Sequence, residues 1–282
     1  MKNSPSLGGH VSTSGGIWSA VERASVFSFT TFQIFSKNQM QWKSKPFANE
    51  DVERFRKGVV NAGMSNIMIH ASYLLNMGSV DPVLRAKVVY AFREEIRRAD
   101  ELGVDLLTFH PGSAGDGDRT VSIKTVGENL NSVISKDQKV RILMETSAGQ
   151  GRTVGSTFEE LAEMLDVVEL KDKIGICFDT CHVWASGYDI RSVEGYSETM
   201  DRFNSALGFK NLGGFHLNDS KKGISSRVDR HEQIGDGTLG VEGISNFVND
   251  RRFWDRPMIL ETPLGEQGYA KDLERIHSML KG

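Results

Sequence analysis

The sequence lacks several features that would each assign it to a class of protein. Its 282 residues include two cysteines, Cys177 and Cys181, which are too few for a disulfide framework. No apolar run approaches the roughly 20 residues that a membrane-spanning helix needs, and the N-terminus lacks the apolar core of a signal peptide. Together these absences predict a soluble protein with reduced thiols and a cytoplasmic location.

The sequence also lacks an excess of basic residues. It has 34 Lys and Arg against 37 Asp and Glu, which gives a formal net charge of -3 and a pI near 6.2. A polyanionic partner would therefore have to bind a local positive patch or bound cations. The overall charge neither indicates nor excludes a nucleic acid as that partner.

No Pro-, Gly- or Ser-rich linker divides the chain, and short β-rich runs recur along it between segments with helical periodicity, such as 81–103 and 156–169. The second helical segment begins with a capping box, Ser156-x-x-Glu159. The β-rich runs are 6–12, 30–36, 65–73, 103–112, 140–148, 174–182, 211–219 and 256–263. They predict an α/β fold, a single-domain (β/α)8 TIM barrel over residues 1–282. A doubly wound open sheet is the alternative, but no G-x-G-x-x-G follows the first run.

Each of the last six β-rich runs contains, at or near its end, a residue that could bind a metal ion. These residues are His70, His110, Glu145, Asp179, His216 and Glu261. In a barrel, the C-terminal ends of the strands surround one mouth, where the chemistry takes place. The residues two positions earlier share a strand face with these candidates, so we expect them to line the barrel interior. They are Met68, Thr108, Leu143, Cys177, Gly214 and Ile259, most of them apolar or small.

A single strand-end histidine or carboxylate is more often a hydrogen-bonded structural residue than a metal ligand. Six in succession are different, because structural residues would scatter over both ends of a barrel. Asp179-x-x-His182 adds another candidate at the end of the same run. Asp229-x-His231 adds two more, and the i,i+2 spacing lets both side chains point the same way from an extended loop. The pattern predicts a metal site.

The number and type of these candidates indicate the kind of metal site. Five histidines and four carboxylates are too many for one ion, so two or three ions with shared carboxylates are predicted. Imidazole combined with carboxylate favours zinc, with manganese or iron as alternatives. Such ions would give the mouth of an acidic chain a positive field, lower the pKa of a bound water and neutralise a leaving oxygen. A phosphate diester is the predicted substrate class.

Several sequence blocks occur in the same order as the motifs of a known family. They are "GGHVSTSGG", "FHPGS", "ETSAGQG", "FDTCHVWASGYD", "HLNDSKKGISSRVDRH" and "LETP". With these blocks the chain resembles the endonuclease IV family, whose members are zinc-dependent apurinic/apyrimidinic endonucleases. The resemblance implies a TIM barrel that hydrolyses the phosphodiester 5′ to an abasic site in duplex DNA, leaving a 3′-hydroxyl and a 5′-deoxyribose phosphate. Removal of blocked 3′ ends is the implied companion activity.

The resemblance also implies a role for each candidate ligand. Three zinc ions would be bound by His70, His110 and Glu145; by Glu145, Asp179, His216 and Glu261; and by His182, Asp229 and His231. Glu145 and Glu261 would be the catalytic residues, Glu145 as a bridge between two ions and Glu261 as the group that orients the attacking hydroxide. His10 is expected to support the site or to pack beside it, and Cys181 to be sensitive to oxidation.

In the family, side chains from the loops after the second and third strands enter the minor groove of bent DNA. Here Tyr73 and Leu74 match the wedge pair, while Met40 stands where some members carry an Arg. A Met can fill an unstacked gap but brings no charge. Flipping of a nucleotide is easiest where base pairing is already lost, which gives selectivity for damage. Phosphate contacts are expected from Lys37, Lys43, Lys221, Lys222, Arg227 and Arg230.

Two other functions fit part of the pattern. A sugar isomerase or epimerase on a related barrel would use one or two metals, and it has no use for Asp229-x-His231 or for a wedge pair. A damaged-DNA-binding protein without turnover would be expected to have lost a ligand, yet all nine positions hold ligand residues. We therefore expect a working nuclease that acts on damaged double-stranded DNA. A monomer is expected, because the fold leaves the mouth accessible in a single chain.

Overall fold

The structure is a computed structural model that describes residues 4–281, in which strands and helices alternate. The strands are β1 (Ser6–Gly9), β2 (Gln33–Phe35), β3 (Met68–His70), β4 (Leu106–Phe109), β5 (Arg141–Glu145), β6 (Ile174–Asp179), β7 (Leu212–His216), β8 (Asp219–Ser220), β9 (His231–Glu232) and β10 (Pro257–Leu260). The helices are α1 (Ser19–Val26), α2 (Asn49–Asn61), α3 (Pro82–Leu102), α4 (Arg119–Val133), α5 (Phe158–Val167), α6 (Thr180–Ser186), α7 (Val193–Ala206), α8 (Gly240–Val248) and α9 (Tyr269–Met279). The outermost residues of the predicted domain, 1–3 and 282, lie outside the described residues.

Eight of the strands form one parallel sheet in the order β1-β10-β7-β6-β5-β4-β3-β2. Its outer strands, β1 and β2, meet at a parallel bridge between His10 and Gln33, so the sheet is nearly closed into a barrel. The Val11 N–H also donates to the Gln33 carbonyl at 2.9 Å. The predicted single-domain TIM barrel is confirmed. All eight predicted strands are present, and each is shorter than its run, because the run also includes residues of the neighbouring loops or, in the run 174–182, of α6.

Local sequence signals set the helix ends. Asp81 caps α3 by accepting a hydrogen bond from a first-turn N–H at 2.7 Å, and Gly103 ends the helix in the left-handed conformation, with φ of 70°. The predicted capping box of α5 is wrong by one residue. Thr157, which has an extended backbone, is the cap and accepts from the Glu160 N–H at 3.2 Å, while Ser156 donates its N–H to the Glu160 carboxylate. Within residues 4–281, no helix is both long and apolar enough to cross a membrane.

Two layers of buried apolar side chains hold the barrel together. The interior layer contains Met68, Leu106, Leu143, Cys177 and Ile259. Strand alternation predicted four of these five residues. Of the other predicted interior residues, Thr108 is fully buried, and a side chain at Gly214 would collide with Met68 at 2.8 Å. The second and larger layer contains the apolar residues that the strands and helices bury against each other.

A short antiparallel ribbon, which the sequence pattern did not predict, shapes one side of the mouth. β8 pairs with β9, so that Ser220 lies opposite His231. The Asp219 carboxylate is fully buried and accepts hydrogen bonds of 2.7–3.1 Å from backbone N–H groups. The donors are Ser220, Gly235, Gly237, Leu239 and Gly240. This one carboxylate therefore holds both ends of the segment 220–240, which carries two of the candidate ligands.

Truncation of the interior layer should destabilise the barrel. Leu143→Ala removes a fully buried side chain, so we expect the free energy of unfolding to fall by about 2–5 kcal/mol. Chemical denaturation measures this change. The control is Val83→Ala, at a position that is 80% exposed, and it should change the free energy by less than about 0.5 kcal/mol. Equal stability of the two variants would contradict the assignment of Leu143 to a packed interior.

Candidate metal centre

The nine residues predicted as ligands converge at the C-terminal mouth of the barrel. Four of them end the strands β3, β5, β6 and β7, namely His70, Glu145, Asp179 and His216. His110 directly follows β4, and Glu261 directly follows β10. His182 lies on α6, which begins immediately after β6. The last two, Asp229 and His231, lie in the segment that connects β8 to β9 and in β9 itself.

The ligand atoms of these residues form groups in which all atoms lie within 4.8 Å of one another. Three of the groups are His70, His110 and Glu145; Glu145, Asp179, His216 and Glu261; and His182, Asp229 and His231. They are the same three sets that the family resemblance implies. Glu145 belongs to two of them and thereby joins them. A further group, Asp179, Cys181 and His231, overlaps with the second and third.

The distances within the groups are those of atoms that surround a common ion. When zinc is bound tetrahedrally with bonds of about 2.0–2.1 Å, neighbouring ligand atoms lie roughly 3.3 Å apart. In the first group, Glu145 Oε2 lies 3.4 Å from His70 Nε2 and 3.2 Å from His110 Nε2. In the second, His216 Nδ1 lies 3.1 Å from Glu145 Oε1 and 3.2 Å from Glu261 Oε2. Both groups have the spacing that a divalent cation requires.

The third group has a similar spacing, with Asp229 Oδ1 3.2 Å from His182 Nε2 and 3.5 Å from His231 Nε2. Although they are so close to other polar atoms, several ligand atoms are buried without a hydrogen-bond partner. These are Glu145 Oε1 and Oε2, His182 Nε2, His216 Nδ1 and His231 Nε2. Buried polar atoms are seldom left unpaired. The ligand atoms face shared points instead of one another, so the residues fit bound divalent cations.

Hydrogen bonds to the opposite ring nitrogen fix the orientation of four histidines. Three of them place Nδ1 against a backbone carbonyl: His70 against Ala71 at 2.7 Å, His182 against Thr146 at 2.8 Å and His231 against Glu261 at 3.1 Å. A carbonyl can only accept, so Nδ1 carries a proton and Nε2 is the nitrogen that faces the mouth, where it can bind an ion once it is deprotonated. His216 is reversed, because its Nε2 bonds the side-chain oxygen of Gln33 at 2.8 Å and its Nδ1 faces the site.

Burial and mutual attraction shift the pKa values of the ligands. Burial alone would raise the pKa of Glu145, but the facing imidazole of His216 holds it well below its usual range. Burial alone would lower the pKa of His182, yet Asp179 and Asp229 raise it well above its usual range. In the metal-free protein, protonated imidazoles thus supply positive charge to the buried carboxylates. A metal ion must displace those protons when it binds.

Three residues that the sequence patterns do not single out support the ligands. Gln33 is fully buried, and its amide group donates to Glu261 Oε1 at 2.6 Å. Asn218 donates to Asp179 Oδ2 and accepts from the Glu261 N–H, each at 2.8 Å. The Thr146 hydroxyl accepts from the Asp179 N–H at 2.9 Å. The available signal for Gln33 was a polar residue within the apolar run "FQIF", and Asn218 and Thr146 lie within two residues of a ligand in the sequence.

The structure also bears on the predictions for two residues near the ligands, His10 and Cys181. His10 supports the site as expected, since its Nδ1 lies 3.4 Å from Glu261 Oε1. The prediction that Cys181 is sensitive to oxidation is wrong. Its thiol is buried against the Arg230 carbonyl at 3.6 Å, and burial raises the pKa of the thiol to about 12, so the reactive thiolate is disfavoured.

Of the predicted wedge residues, Tyr73 lies at the entrance to the ligand groups. A cavity of about 320 Å³ opens beside Tyr73, and four of the candidate ligands contribute to its wall. The Tyr73 ring packs against His70 and His110, with centroid distances of 5.0 and 5.5 Å, yet the residue is 53% exposed. Met40 is 67% exposed, and Leu74 is half-buried. Tyr73 therefore extends from the ligands into solvent.

The basic residues predicted to contact phosphate differ in solvent exposure and in whether they are already paired. Five are exposed on mouth loops: Lys43, Lys221, Lys222, Arg227 and Arg230. The prediction for Lys37 is wrong. Its side chain is 3% exposed, and its ammonium group forms an ion pair with the Glu95 carboxylate at 3.2 Å. Lys37 is consequently not free to bind a phosphate group.

The barrel and the ligand groups at its mouth define a metal-dependent TIM-barrel enzyme. A family model described as "Xylose isomerase-like TIM barrel" matches residues 21–279. The chain is 44% identical over 274 residues to "Probable endonuclease 4" of Thermoplasma volcanium, covering 97% of this chain and 95% of that protein. It is 39% identical over 282 residues to "Apurinic-apyrimidinic endonuclease" of Caenorhabditis elegans, covering 99% and 71%. The chain belongs to the endonuclease IV family, as its motifs predicted.

Solved structures agree with this assignment. Endonuclease IV from Thermus thermophilus superposes with a TM-score of 0.86 at 34% identity, covering 98% of each chain. A D-tagatose 3-epimerase-like protein superposes with a TM-score of 0.76 at 18% identity, covering 97% of this chain and 96% of that one. The second likeness shows a shared fold and nothing further.

Loss of the Gln33 side chain should weaken metal binding at the second ligand group. Gln33→Leu removes the amide that orients His216 and Glu261, and loss of such a partner typically weakens metal binding by about 10–100-fold. Competition with a chromophoric chelator measures the zinc affinity. The matched control is Gln138→Leu, because Gln138 is also buried but bonds the Val140 carbonyl at the opposite end of the barrel. Unchanged zinc affinity in both variants would show that Gln33 does not orient the ligands.

Proposed function

We propose that the protein is a DNA-repair endonuclease that hydrolyses the phosphodiester 5′ to an abasic site in duplex DNA, leaving a 3′-hydroxyl and a 5′-deoxyribose phosphate. The proposed cofactors are three zinc ions, which manganese or iron could replace in part. Removal of blocked 3′ ends is the proposed companion activity. The observation that carries the proposal is the sharing of buried Glu145 by two ligand groups, beside a third group. The names of the endonuclease relatives support the choice of substrate.

When bound, the divalent ions would supply Lewis-acid chemistry, acidifying the attacking water and neutralising charge on the phosphate. The side chains of the protein would position the reacting groups. Glu261 Oε1 accepts from Gln33 at 2.6 Å and lies 3.4 Å from His10, while Oε2 is turned towards His216 at 3.2 Å. One oxygen of Glu261 is thus fixed by the protein and the other faces the site. This arrangement suits a group that orients an attacking water.

Side chains at the mouth are proposed to hold an extruded abasic nucleotide. Tyr73 and Leu74, from the loop after β3, and Met40, from the loop after β2, would enter the space left by the nucleotide. The cavity of about 320 Å³ beside Tyr73 offers room for a sugar that has no base. The exposed basic residues of the mouth are the proposed phosphate contacts, namely Lys43, Lys221, Lys222, Arg227 and Arg230.

A sugar epimerase is the second candidate, since a D-tagatose 3-epimerase-like structure has the same fold. Two observations favour the nuclease. The group formed by His182, Asp229 and His231 adds ligands that a site for one or two metals does not need. In addition, the relatives at 39–44% identity have endonuclease names.

A monomeric state and a cytoplasmic location complete the proposal. The ligand groups that would bind the ions are complete within a single chain, so catalysis would not require a second subunit. Both cysteines are free and buried, which suits a reducing compartment. Light scattering would measure the mass in solution.

Cleavage of an end-labelled duplex with one abasic analogue tests the proposed activity. Protein whose metal content has been counted should cut the labelled strand once, 5′ to the lesion, and a chelator should abolish the cut. Extension of the nicked strand by a polymerase would report the 3′-hydroxyl. No nick from protein with full metal content would reassign the substrate, and sugar isomerisation would become the leading candidate.

Glu261→Gln should separate catalysis from DNA binding. The substitution preserves the shape of the side chain but removes the charge that orients the attacking water, so we expect turnover to fall by about 100-fold or more. Affinity for abasic DNA should stay within a few-fold. Single-turnover cleavage and filter binding measure the two quantities. Glu266→Gln, at a carboxylate that bonds Ser12 and Arg23, is the control. Near-normal turnover of Glu261→Gln would show that Glu261 binds a metal ion without orienting the attacking water.

Tyr73→Ala should weaken binding of abasic duplex by about tenfold or more, because it removes the ring that would fill the gap in the helix. Zinc content should not change, since Tyr73 contacts ligands without being one. Tyr90→Ala is the matched control, as Tyr90 is 61% exposed on α3 and should not affect DNA binding. Unaltered affinity of Tyr73→Ala in a titration with labelled duplex would count against the wedge.

A further inference from the structure

Three charged side chains are buried together outside the ligand groups. Glu95 and Arg98, on α3, are 1% and 3% exposed. Lys37, two residues after β2, places its ammonium group 3.2 Å from Glu95 Oε1, and its side chain is 3% exposed. Such residues are almost never fully buried unless they are paired. Lys37, Glu95 and Arg98 therefore form a specifically paired cluster inside the protein. The proposed hydrolysis does not use this cluster.

The cluster lies against two loops of the mouth. The loop after β2, residues 36–48, is called the β2 loop and contains Met40. The loop after β3, residues 71–81, is called the β3 loop and contains Tyr73. These are the two loops that carry the proposed DNA-inserting side chains.

Glu95 contacts the first part of both loops. Its Oε2 accepts a hydrogen bond from the Ser36 hydroxyl at 2.6 Å, at the start of the β2 loop. Its Oε1 accepts from the Ser72 N–H at 3.4 Å, at the start of the β3 loop. One carboxylate thus bonds both loops to the same point on α3.

Arg98 holds the β2 loop at both ends. Its Nε donates to the Ser36 hydroxyl at 3.2 Å, and its Nη2 donates to the Ser36 carbonyl. Its Nη1 donates to the Lys45 carbonyl at 3.0 Å, and the guanidinium lies 3.6 Å from the centre of the Phe47 ring. The β2 loop is consequently closed over Arg98.

The two loops also contact each other directly. The Ser72 hydroxyl donates to the Gln39 carbonyl at 2.5 Å. Gln39 directly precedes Met40, and Ser72 directly precedes Tyr73. Met40 and Tyr73 therefore each follow a residue that is bonded to the other loop.

Stability alone does not explain charged groups at this place. Well-packed apolar side chains often replace a buried ion pair without loss, because burial of charge costs solvation energy, whereas directional bonds can specify one geometry. We propose that Glu95, with Lys37 and Arg98, is a positioning group that holds the β2 and β3 loops in one fixed arrangement, so that Met40 and Tyr73 engage the same lesion. This inference rests on the proposed role of those two side chains in DNA binding.

Hydrogen–deuterium exchange tests the coupling of the loops without using activity. Glu95→Gln should increase exchange in both loops together, because it leaves the cations of Lys37 and Arg98 without a counter-charge. The matched control is Asp250→Asn, which removes a largely buried charge that is bonded to Tyr196 near the start of β10. The control should leave exchange in both loops unchanged. An increase in one loop only, or in neither, would overturn the inference.

Steady-state kinetics test whether the loss of Glu95 weakens the binding of abasic DNA. For Glu95→Gln we expect KM for abasic duplex to rise by about tenfold or more while kcat falls by less than about threefold, with zinc content unchanged. A loss confined to kcat, a loss of zinc, or the same change in Asp250→Asn would overturn the positioning role. If the parent protein does not cleave abasic DNA, the proposed function fails, and the exchange result still decides whether Glu95 couples the loops.

A milder variant keeps the test decisive if Glu95→Gln does not fold. Ser36→Ala removes the hydroxyl that bonds both Glu95 and Arg98 but leaves all three charges in place. It should raise exchange in both loops and raise KM more than it lowers kcat, each to a smaller extent than Glu95→Gln. Normal exchange in both loops together with an unchanged KM would overturn the inference.

Discussion

The arrangement of ligand residues at the mouth of the barrel depends on one buried carboxylate, that of Glu145, whose negative charge must be balanced by positive charge around it. Both of its oxygens are buried without a hydrogen-bond partner. Four histidine nitrogens lie 3.1–3.4 Å from these oxygens, those of His70, His110, His182 and His216. An ionised carboxylate in such a position requires compensation from the groups that face it. The imidazoles of His182 and His216, whose pKa values are raised by the carboxylates around them, provide it in the metal-free protein, and bound ions would provide it in the proposed enzyme.

The parallel barrel is what brings these groups together. All eight strands of the sheet run in the same direction, so each one ends at the same mouth. In this register Asp179 at the end of β6 lies beside His216 at the end of β7. The buried Asp219 then holds the segment that adds Asp229 and His231. The ligands are thus supplied by backbone regions whose positions are fixed by buried hydrogen bonds.

Strand alternation made much of the site predictable from the sequence, because the two faces of a strand are set by its period of two. Leu143 lies in the interior layer and Glu145, two residues later, faces the mouth. Contacts with distant segments were not predictable in this way. Lys37 follows β2, but its partner Glu95 is on α3, and Gln33 in β2 bonds Glu261, which lies near the other end of the chain. Such pairs depend on which elements pack together. The residue pattern of a single segment does not contain that information.

Anomalous diffraction at the zinc edge, from crystals of the metal-loaded protein, tests the role of Glu145 most directly. We expect three zinc peaks, two of them at about 2.0–2.2 Å from the two Glu145 oxygens, and the third between His182, Asp229 and His231. A metal-loaded crystal in which no peak lies beside Glu145, and in which its oxygens bind protonated imidazoles instead, would contradict the proposed metal centre.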